Sequence, residues 1–102
     1  MIKIISNNNS YIKYKLPICN FYLIQWKPKS RTDIHNHNSK NCQFMLFNNT
    51  LQEIRYKNNN ISSLYQSNKI KPFKIYSIND NQGYHQIYNL DDKIKWSLHH
   101  YY

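Results

Sequence analysis

The chain of 102 residues contains a single glycine, no alanine and no valine, and it has only five acidic residues. It has no long uncharged apolar run, so we expect no transmembrane helix. The N-terminal segment becomes polar and rich in asparagine too early for a secretory signal, which favours a cytoplasmic location. A chain of this length suits one small domain, which we place at residues 1–102.

Cysteine is also scarce, because Cys19 and Cys42 are the only two in the sequence. In an oxidising compartment they could form one disulfide. In a reducing compartment they are free thiols, or one of them has a chemical role. The reduced state is the interpretation that we favour.

The formal net charge of +9 raises the question of nucleic-acid binding. Phosphate recognition usually relies on arginine, whose guanidinium makes two hydrogen bonds at once. This chain has only Arg31 and Arg55, and its abundant Asn, Lys, Ile and Tyr share codons rich in A and T. Base composition therefore explains most of the charge. A basic β-barrel that binds single-stranded nucleic acid through tyrosine and lysine is the disfavoured alternative.

Short β-prone runs alternate with turn-forming residues along the whole chain, and no window shows a helical stripe with caps. Asparagine tolerates the left-handed backbone conformation, so it can replace glycine in the turns. Strands at intervals of roughly 8–12 residues favour an all-β sandwich or barrel. The predicted strands cover residues 1–6, 11–16, 21–27, 42–47, 50–57, 61–66, 73–78, 85–90 and 94–101.

The large apolar side chains of these runs are expected to meet between the strands. The predicted core consists of Ile24, Trp26, Phe44, Leu46, Leu51, Ile54, Phe73, Ile75, Ile87, Trp96 and Leu98.

Two histidines one residue apart, His35 and His37, would point to the same side of a β-strand. Such a pair also arises by chance on polar strands, so a third ligand is needed, and His85 offers one. Three histidines leave positions on a metal ion open, which is typical of a catalytic site rather than a closed structural zinc site. Three neutral imidazoles leave the full charge of a divalent ion, and that favours an anionic substrate such as a thiolate.

Several ordered motifs between residues 21 and 101 resemble the cysteine dioxygenase family of the cupin superfamily. Cys42 stands where other cupins carry a glutamate ligand and where cysteine dioxygenases carry a cysteine. The other motifs, in chain order, are Trp26, Ile34-His35-Asn36-His37, Leu51-Gln52-Glu53, Ile78-Asn79-Asp80-Asn81-Gln82-Gly83-Tyr84-His85, Asn89 and Ser97-Leu98-His99-His100-Tyr101.

This resemblance implies an all-β fold, a small cupin-type double-stranded β-helix, also called a jelly-roll barrel. It implies Fe(II) as the cofactor, with His35, His37 and His85 as its ligands. The implied reaction oxidises cysteine, or a similar small thiol, with O₂ to its sulfinic acid.

The resemblance also implies roles for residues around the metal. Cys42 and Tyr101 match a pair that forms a thioether crosslink in animal members of the family, and His99 would hold the Tyr101 hydroxyl in position. Lys13 aligns with an arginine that grips the substrate carboxylate, and Tyr11 lies beside it as a second substrate-binding residue.

Two alternatives stay open at this stage. The substrate could be a related thiol such as 3-mercaptopropionate, because lysine lacks the forked geometry of arginine. The chain could also be a truncated metal-binding cupin without catalysis. The sequence is compatible with a homodimer that covers an exposed sheet edge.

Overall fold

Ten strands, joined by turns and one short 3₁₀ turn, make up the fold in a computed structural model that describes residues 2–36, 41–78 and 83–102. The 3₁₀ turn spans Ile61–Ser63. In chain order the strands are β1 (Lys3–Asn7), β2 (Tyr11–Lys15), β3 (Phe21–Trp26), β4 (Ser30–Arg31), β5 (Cys42–Leu46), β6 (Leu51–Tyr56), β7 (Leu64–Ile70), β8 (Ile75–Ile78), β9 (Tyr84–Asn89) and β10 (Lys95–Tyr101).

The strands form two antiparallel sheets whose neighbours are often distant in the sequence. The first sheet has the order β1-β2-β3-β10-β5-β8, and the second has the order β4-β9-β6-β7. In the first sheet β10 lies between β3 and β5, with Ser97 opposite both Ile24 and Leu46. No helix in the described part of the chain has both the length and the apolar character needed to cross a membrane.

Apolar side chains from both sheets pack together in the space between them. This core contains Ile24, Trp26, Phe44, Leu46, Leu51 and Ile87, all of which were predicted, together with Ile70 and Ile78.

Five members of the predicted core lie elsewhere. Phe73 and Ile75 are 72% and 67% exposed, because Phe73 occupies a turn and Ile75 points away from the buried face of edge strand β8. Ile54, Trp96 and Leu98 are only partly buried, since they lie on the outward face of their strands. The inward face of β10 carries polar residues instead, and that inversion leads to the functional site.

Asparagine does replace glycine at tight turns, since Asn20 and Asn49 adopt φ values of 58° and 59°. The all-β prediction is confirmed, although two details of it were wrong. The run 61–66 begins as a 3₁₀ turn, because Asn60 caps it by accepting a hydrogen bond from the Ser62 amide at 2.9 Å. Strand β4 was not predicted.

Candidate metal and substrate site

A cavity of about 250 Å³ opens between the two sheets. This volume lies near the lower end for ligand sites and suits a small molecule. Of the predicted site residues, those that line it are Tyr11, Lys13, His35, His85, His99 and Tyr101. The predicted ligand His37 lies outside the described residues.

His35 and His85 are held together by their own backbones. Each amide donates a hydrogen bond to the carbonyl of the other, at 3.0 Å from His35 and 2.8 Å from His85. This isolated antiparallel bridge places the two ring centroids 4.5 Å apart. A β-bridge between the start of β9 and the segment that follows β4 therefore brings two predicted ligands to one place.

The same nitrogen, Nδ1, is engaged in both imidazole rings. Nδ1 of His35 lies 2.8 Å from the carbonyl oxygen of Asp33. Nδ1 of His85 lies 3.0 Å from a carboxylate oxygen of Glu53. Because carbonyl and carboxylate oxygens only accept hydrogen bonds, each Nδ1 carries a proton, and in the neutral ring the lone pair is then on Nε2. Metal-ligating histidines usually show this arrangement.

Electrostatics keep His35 in the form that binds a metal. Burial, and then the neighbouring His85, lower the pKa of His35, so its ring is neutral at physiological pH. Metal ions require the unprotonated imidazole nitrogen.

The described residues therefore fit a metal as two imidazole donors. No cluster of three or more His, Cys, Asp or Glu side chains occurs among the residues outside 37–40 and 79–82. A third imidazole from His37 is the sequence prediction for the remaining ligand. Imidazole nitrogens suit iron and other first-row transition metals.

Glu53, which we had not predicted as a site residue, lies directly behind His85. Its side chain is 4% exposed, and it is bound by His85, Arg55 and Asn68. Burial would raise the pKa of Glu53, but hydrogen bonds from His85 and Arg55 outweigh burial and lower that pKa to about 2. Strand parity was the available signal, because Glu53 shares the inward face of β6 with Leu51.

A line of polar contacts runs along the inward face of β10. The indole Nε1 of Trp26 donates to Ser97 Oγ at 2.8 Å, and Ser97 Oγ lies 2.7 Å from His99 Nε2. Indole nitrogen can only donate, so Ser97 Oγ accepts the hydrogen bond from Trp26. The other ring nitrogen of His99, Nδ1, lies 3.8 Å from the sulfur of Cys42.

Cys42 is fully buried and directly opposite Tyr101 in the β5–β10 ladder. Burial raises the pKa of the Cys42 thiol to about 11, and the charge of Lys13 opposes that shift only in part. Burial also raises the pKa of the Tyr101 hydroxyl. Both groups are therefore protonated at neutral pH. Tyr101 lines the cavity, whereas the buried Cys42 beside it does not. Both cysteines are free thiols in this structure.

Lys13 holds the Tyr101 hydroxyl, the role that the sequence assigned to His99. Its Nζ donates to the Tyr101 hydroxyl oxygen at 2.8 Å and lies 4.8 Å from the centroid of the Tyr22 ring. The ring nitrogens of His99 instead contact Ser97 and Cys42. Lysine has donors only, so the Tyr101 hydroxyl oxygen accepts from Lys13, and the same hydroxyl also has a hydrogen bond with the Cys42 thiol.

The fold and the histidine-lined cavity define a cupin. Its fold is similar to that of the Drosophila melanogaster CENP-C cupin domain, with a TM-score of 0.73 and 10% identity over 99% of this chain and 75% of that one. It is also similar to oxalate oxidase, with a TM-score of 0.61 and 14% identity over 79% of this chain and 40% of that one. Identities this low establish the fold alone.

The family model for cysteine dioxygenase type I matches residues 10–102, and the chain belongs to this family. No curated protein matches the chain. The predicted family and fold class are confirmed, and cupin dioxygenases typically bind a metal.

Proposed function

We propose that this protein is an iron(II)-dependent thiol dioxygenase that converts a small carboxylated thiol, with cysteine as the default, to its sulfinic acid. The observation that carries the proposal is the meeting of His35, His85, Lys13 and Tyr101 in one small cavity. The reaction adds both atoms of O₂ to the sulfur of the thiol and consumes no other reductant. Bound iron(II) would supply the redox chemistry that lets O₂ react with a thiol, with His35 and His85 among its ligands.

The charges of the cavity wall favour an anionic ligand. Among the described residues that line it, Lys13 is the only lysine or arginine, and no aspartate or glutamate is present. A carboxylate that approached the Lys13–Tyr101 pair would meet an ammonium and a hydroxyl at the same point. Tyr11 and Trp26, whose ring centroids are 5.5 Å apart, give the same cavity an apolar wall.

The protein side chains near the thiol would form hydrogen bonds and orient polar groups, whereas the redox chemistry would come from the bound iron. Lys13 and the Cys42 thiol hold the Tyr101 hydroxyl in place at the cavity wall. Ser97, which accepts from Trp26, holds the His99 ring, and Nδ1 of that ring lies 3.8 Å from the sulfur of Cys42. The adjacent Cys42 and Tyr101 are also the pair that we propose for a thioether crosslink, in which the thiol S–H and a ring C–H are lost and O₂ accepts the two electrons and two protons.

Oxygen uptake by anaerobically iron-loaded protein tests the proposal directly. Cysteine and 3-mercaptopropionate are offered separately, and the products are identified by mass spectrometry. Thiol-dependent uptake that yields a sulfinic acid supports the enzyme and identifies its preferred substrate. Bound iron without uptake would contradict it and would favour the alternative of a metal-binding cupin that lacks catalysis.

We expect Lys13→Met to raise KM for cysteine by roughly 10–100-fold, because a charged hydrogen bond is worth about 1.5–3 kcal/mol. Lys13→Arg should retain most of the affinity. Cysteamine, a thiol without a carboxylate, is the matched control, and its KM should change little in either variant. An equal loss with cysteamine would show that Lys13 does not recognise the carboxylate.

We expect Tyr101→Phe to lower kcat by about 10-fold or more without loss of metal, because it removes the hydroxyl that Lys13 positions at the cavity. Tyr102→Phe is the control, since Tyr102 is 58% exposed and does not line this cavity. Turnover and iron content are measured on the same samples. An unchanged kcat in Tyr101→Phe would exclude a role for its hydroxyl.

A further inference from the structure

The buried carboxylate of Glu53 is held by a group from its own strand, β6, and by groups from the two neighbouring strands, β7 and β9. One carboxylate oxygen, Oε1, accepts hydrogen bonds from Arg55 Nε at 2.8 Å and Asn68 Nδ2 at 3.1 Å. The other oxygen, Oε2, lies 3.0 Å from Nδ1 of His85. Arg55 and Asn68 therefore fix the orientation of the carboxylate, and that orientation directs Oε2 at the histidine.

The strand register explains why this contact is rigid. Glu53 pairs with Asn68 across the β6–β7 ladder and with Ile87 across the β6–β9 ladder. His85 precedes Ile87 by two residues on β9, so its side chain lies on the same face of the sheet as those of Glu53 and Ile87. The pairing of β6 with β9 therefore fixes the distance between Glu53 and His85. With the side chain of Glu53 4% exposed and that of His85 7% exposed, the contact is shielded from water.

We propose that Glu53 is a positioning residue of the metal centre, one that locks His85 in the Nδ1–H tautomer and strengthens Nε2 as a ligand. This inference rests on the proposed metal site. Many iron cupins and oxygenases place a carboxylate directly on the metal. Here the three predicted ligands are imidazoles rather than carboxylates, and Glu53 supplies a negative charge from behind one of them. Such outer carboxylates typically change metal affinity by about 10–100-fold.

The contact with Arg55 provides a way to separate this role from a structural one. If Glu53 had only a structural role, it would stabilise the fold through its contacts with Arg55 and Asn68. Removal of Glu53 and removal of Arg55 would then lower the free energy of unfolding by similar amounts, and neither would act on the metal. A positioning Glu53 acts through His85, so loss of Arg55 leaves the carboxylate beside the histidine. Removal of Glu53 then weakens the ligand more than removal of Arg55 does.

The first experiment is a titration of the metal-free protein with Co(II), and with Fe(II) under anaerobic conditions. We expect Glu53→Gln to weaken the affinity for both metals by about 10–100-fold, with a smaller loss in Arg55→Met. Gln66→Ala, at an exposed position of the same strand as Asn68, is the matched control and should stay near the wild-type affinity. Unchanged metal affinity in Glu53→Gln would overturn the proposal.

The second experiment needs no metal and no activity. Long-range ¹⁵N–¹H NMR spectra of the metal-free protein report which ring nitrogen of each histidine carries the proton. We expect His85 to be protonated at Nδ1 in the wild type and in Arg55→Met, and to become a mixture of tautomers in Glu53→Leu. The His99 signals serve as an internal control. A wild-type His85 protonated at Nε2 would overturn the inference even if a variant failed to fold.

The two experiments also separate the failure of this inference from the failure of the proposed function. Absence of metal binding in the wild type would overturn the metal centre itself, whatever the tautomer of His85. If the wild type binds metal and Glu53→Gln binds it with the same affinity, the proposed function is retained and only the role of Glu53 is rejected.

Discussion

Replacing His85 by alanine is expected to remove stoichiometric metal binding and all thiol-dependent oxygen uptake. The loss of affinity should exceed about 100-fold, because even removal of an outer partner of a ligand costs about 10–100-fold. A metal present at 100 times its Kd stabilises the wild type by about 2.7 kcal/mol, and the variant should lose this stabilisation as well. Metal content, oxygen uptake and thermal unfolding are measured with and without Fe(II).

His100→Ala is the matched control for that result. His100 follows His99 on β10, but it stacks on Phe21 at 4.5 Å between ring centroids and does not line the cavity. This variant should retain metal and activity. Full iron occupancy in His85→Ala would contradict the three-histidine site.

Gly83→Ala is expected to be the most destabilising small substitution near the site. Gly83 has a φ of +81°, and a Cβ built there would lie 2.5 Å from the carbonyl oxygen of Tyr56. The left-handed conformation costs a non-glycine residue about 1–2 kcal/mol, and overpacking adds about 1–3 kcal/mol. The sum of roughly 2–5 kcal/mol is a large part of the stability of a small domain.

Chemical denaturation of Gly83→Ala and Asn49→Ala separates these two contributions. Asn49 has a φ of 59° and lies in an exposed turn, so its alanine variant reports the backbone cost on an open surface. We expect Asn49→Ala to lose about 1 kcal/mol and Gly83→Ala to lose clearly more. Equal losses would show that the Tyr56 carbonyl can move aside. Since His85 follows Gly83 by two residues, we also expect weaker metal binding in Gly83→Ala.

Much of the fold could be predicted because alternation and turn chemistry act locally. The run from Cys42 to Leu46 alternates as its burial pattern requires, and asparagine at positions 20 and 49 supplies the left-handed turns. The boundary at Asn60 could not be read from β propensity, because a side-chain cap competes there with strand pairing. The exposed Ile75 shows a second limit, since only the sheet order reveals that β8 is an edge strand.

The strand β10 explains both a failure and a success of the sequence interpretation. Its apolar residues Trp96 and Leu98 were predicted as core, yet the alternate side chains of the strand, those of the polar Ser97 and His99, face inward. Hydrophobicity alone gave the wrong face, whereas the motif gave the cavity-lining residues. A polar inward face costs stability unless it is satisfied, and the hydrogen bond from Trp26 to Ser97 helps to satisfy it.

Contacts between distant residues were the part that the sequence could not supply. Lys13 and Tyr101 come from opposite ends of the chain, and their hydrogen bond depends on the order β2-β3-β10 in the first sheet. Glu53 behind His85 depends likewise on the pairing of β6 with β9. The resemblance predicted which residues matter, but the hydrogen-bond partners follow only from the register.

The bridge between His35 and His85 also has a consequence for folding kinetics. Its two hydrogen bonds join segments that are far apart along the chain, so the chain must close a long loop before they can form. Such nonlocal pairings tend to slow the folding of all-β proteins. If the pair forms after the transition state, a metal bound by these two histidines would slow unfolding while leaving the folding rate almost unchanged. The ion would then stabilise the barrel after it has folded and would not take part in the folding nucleus.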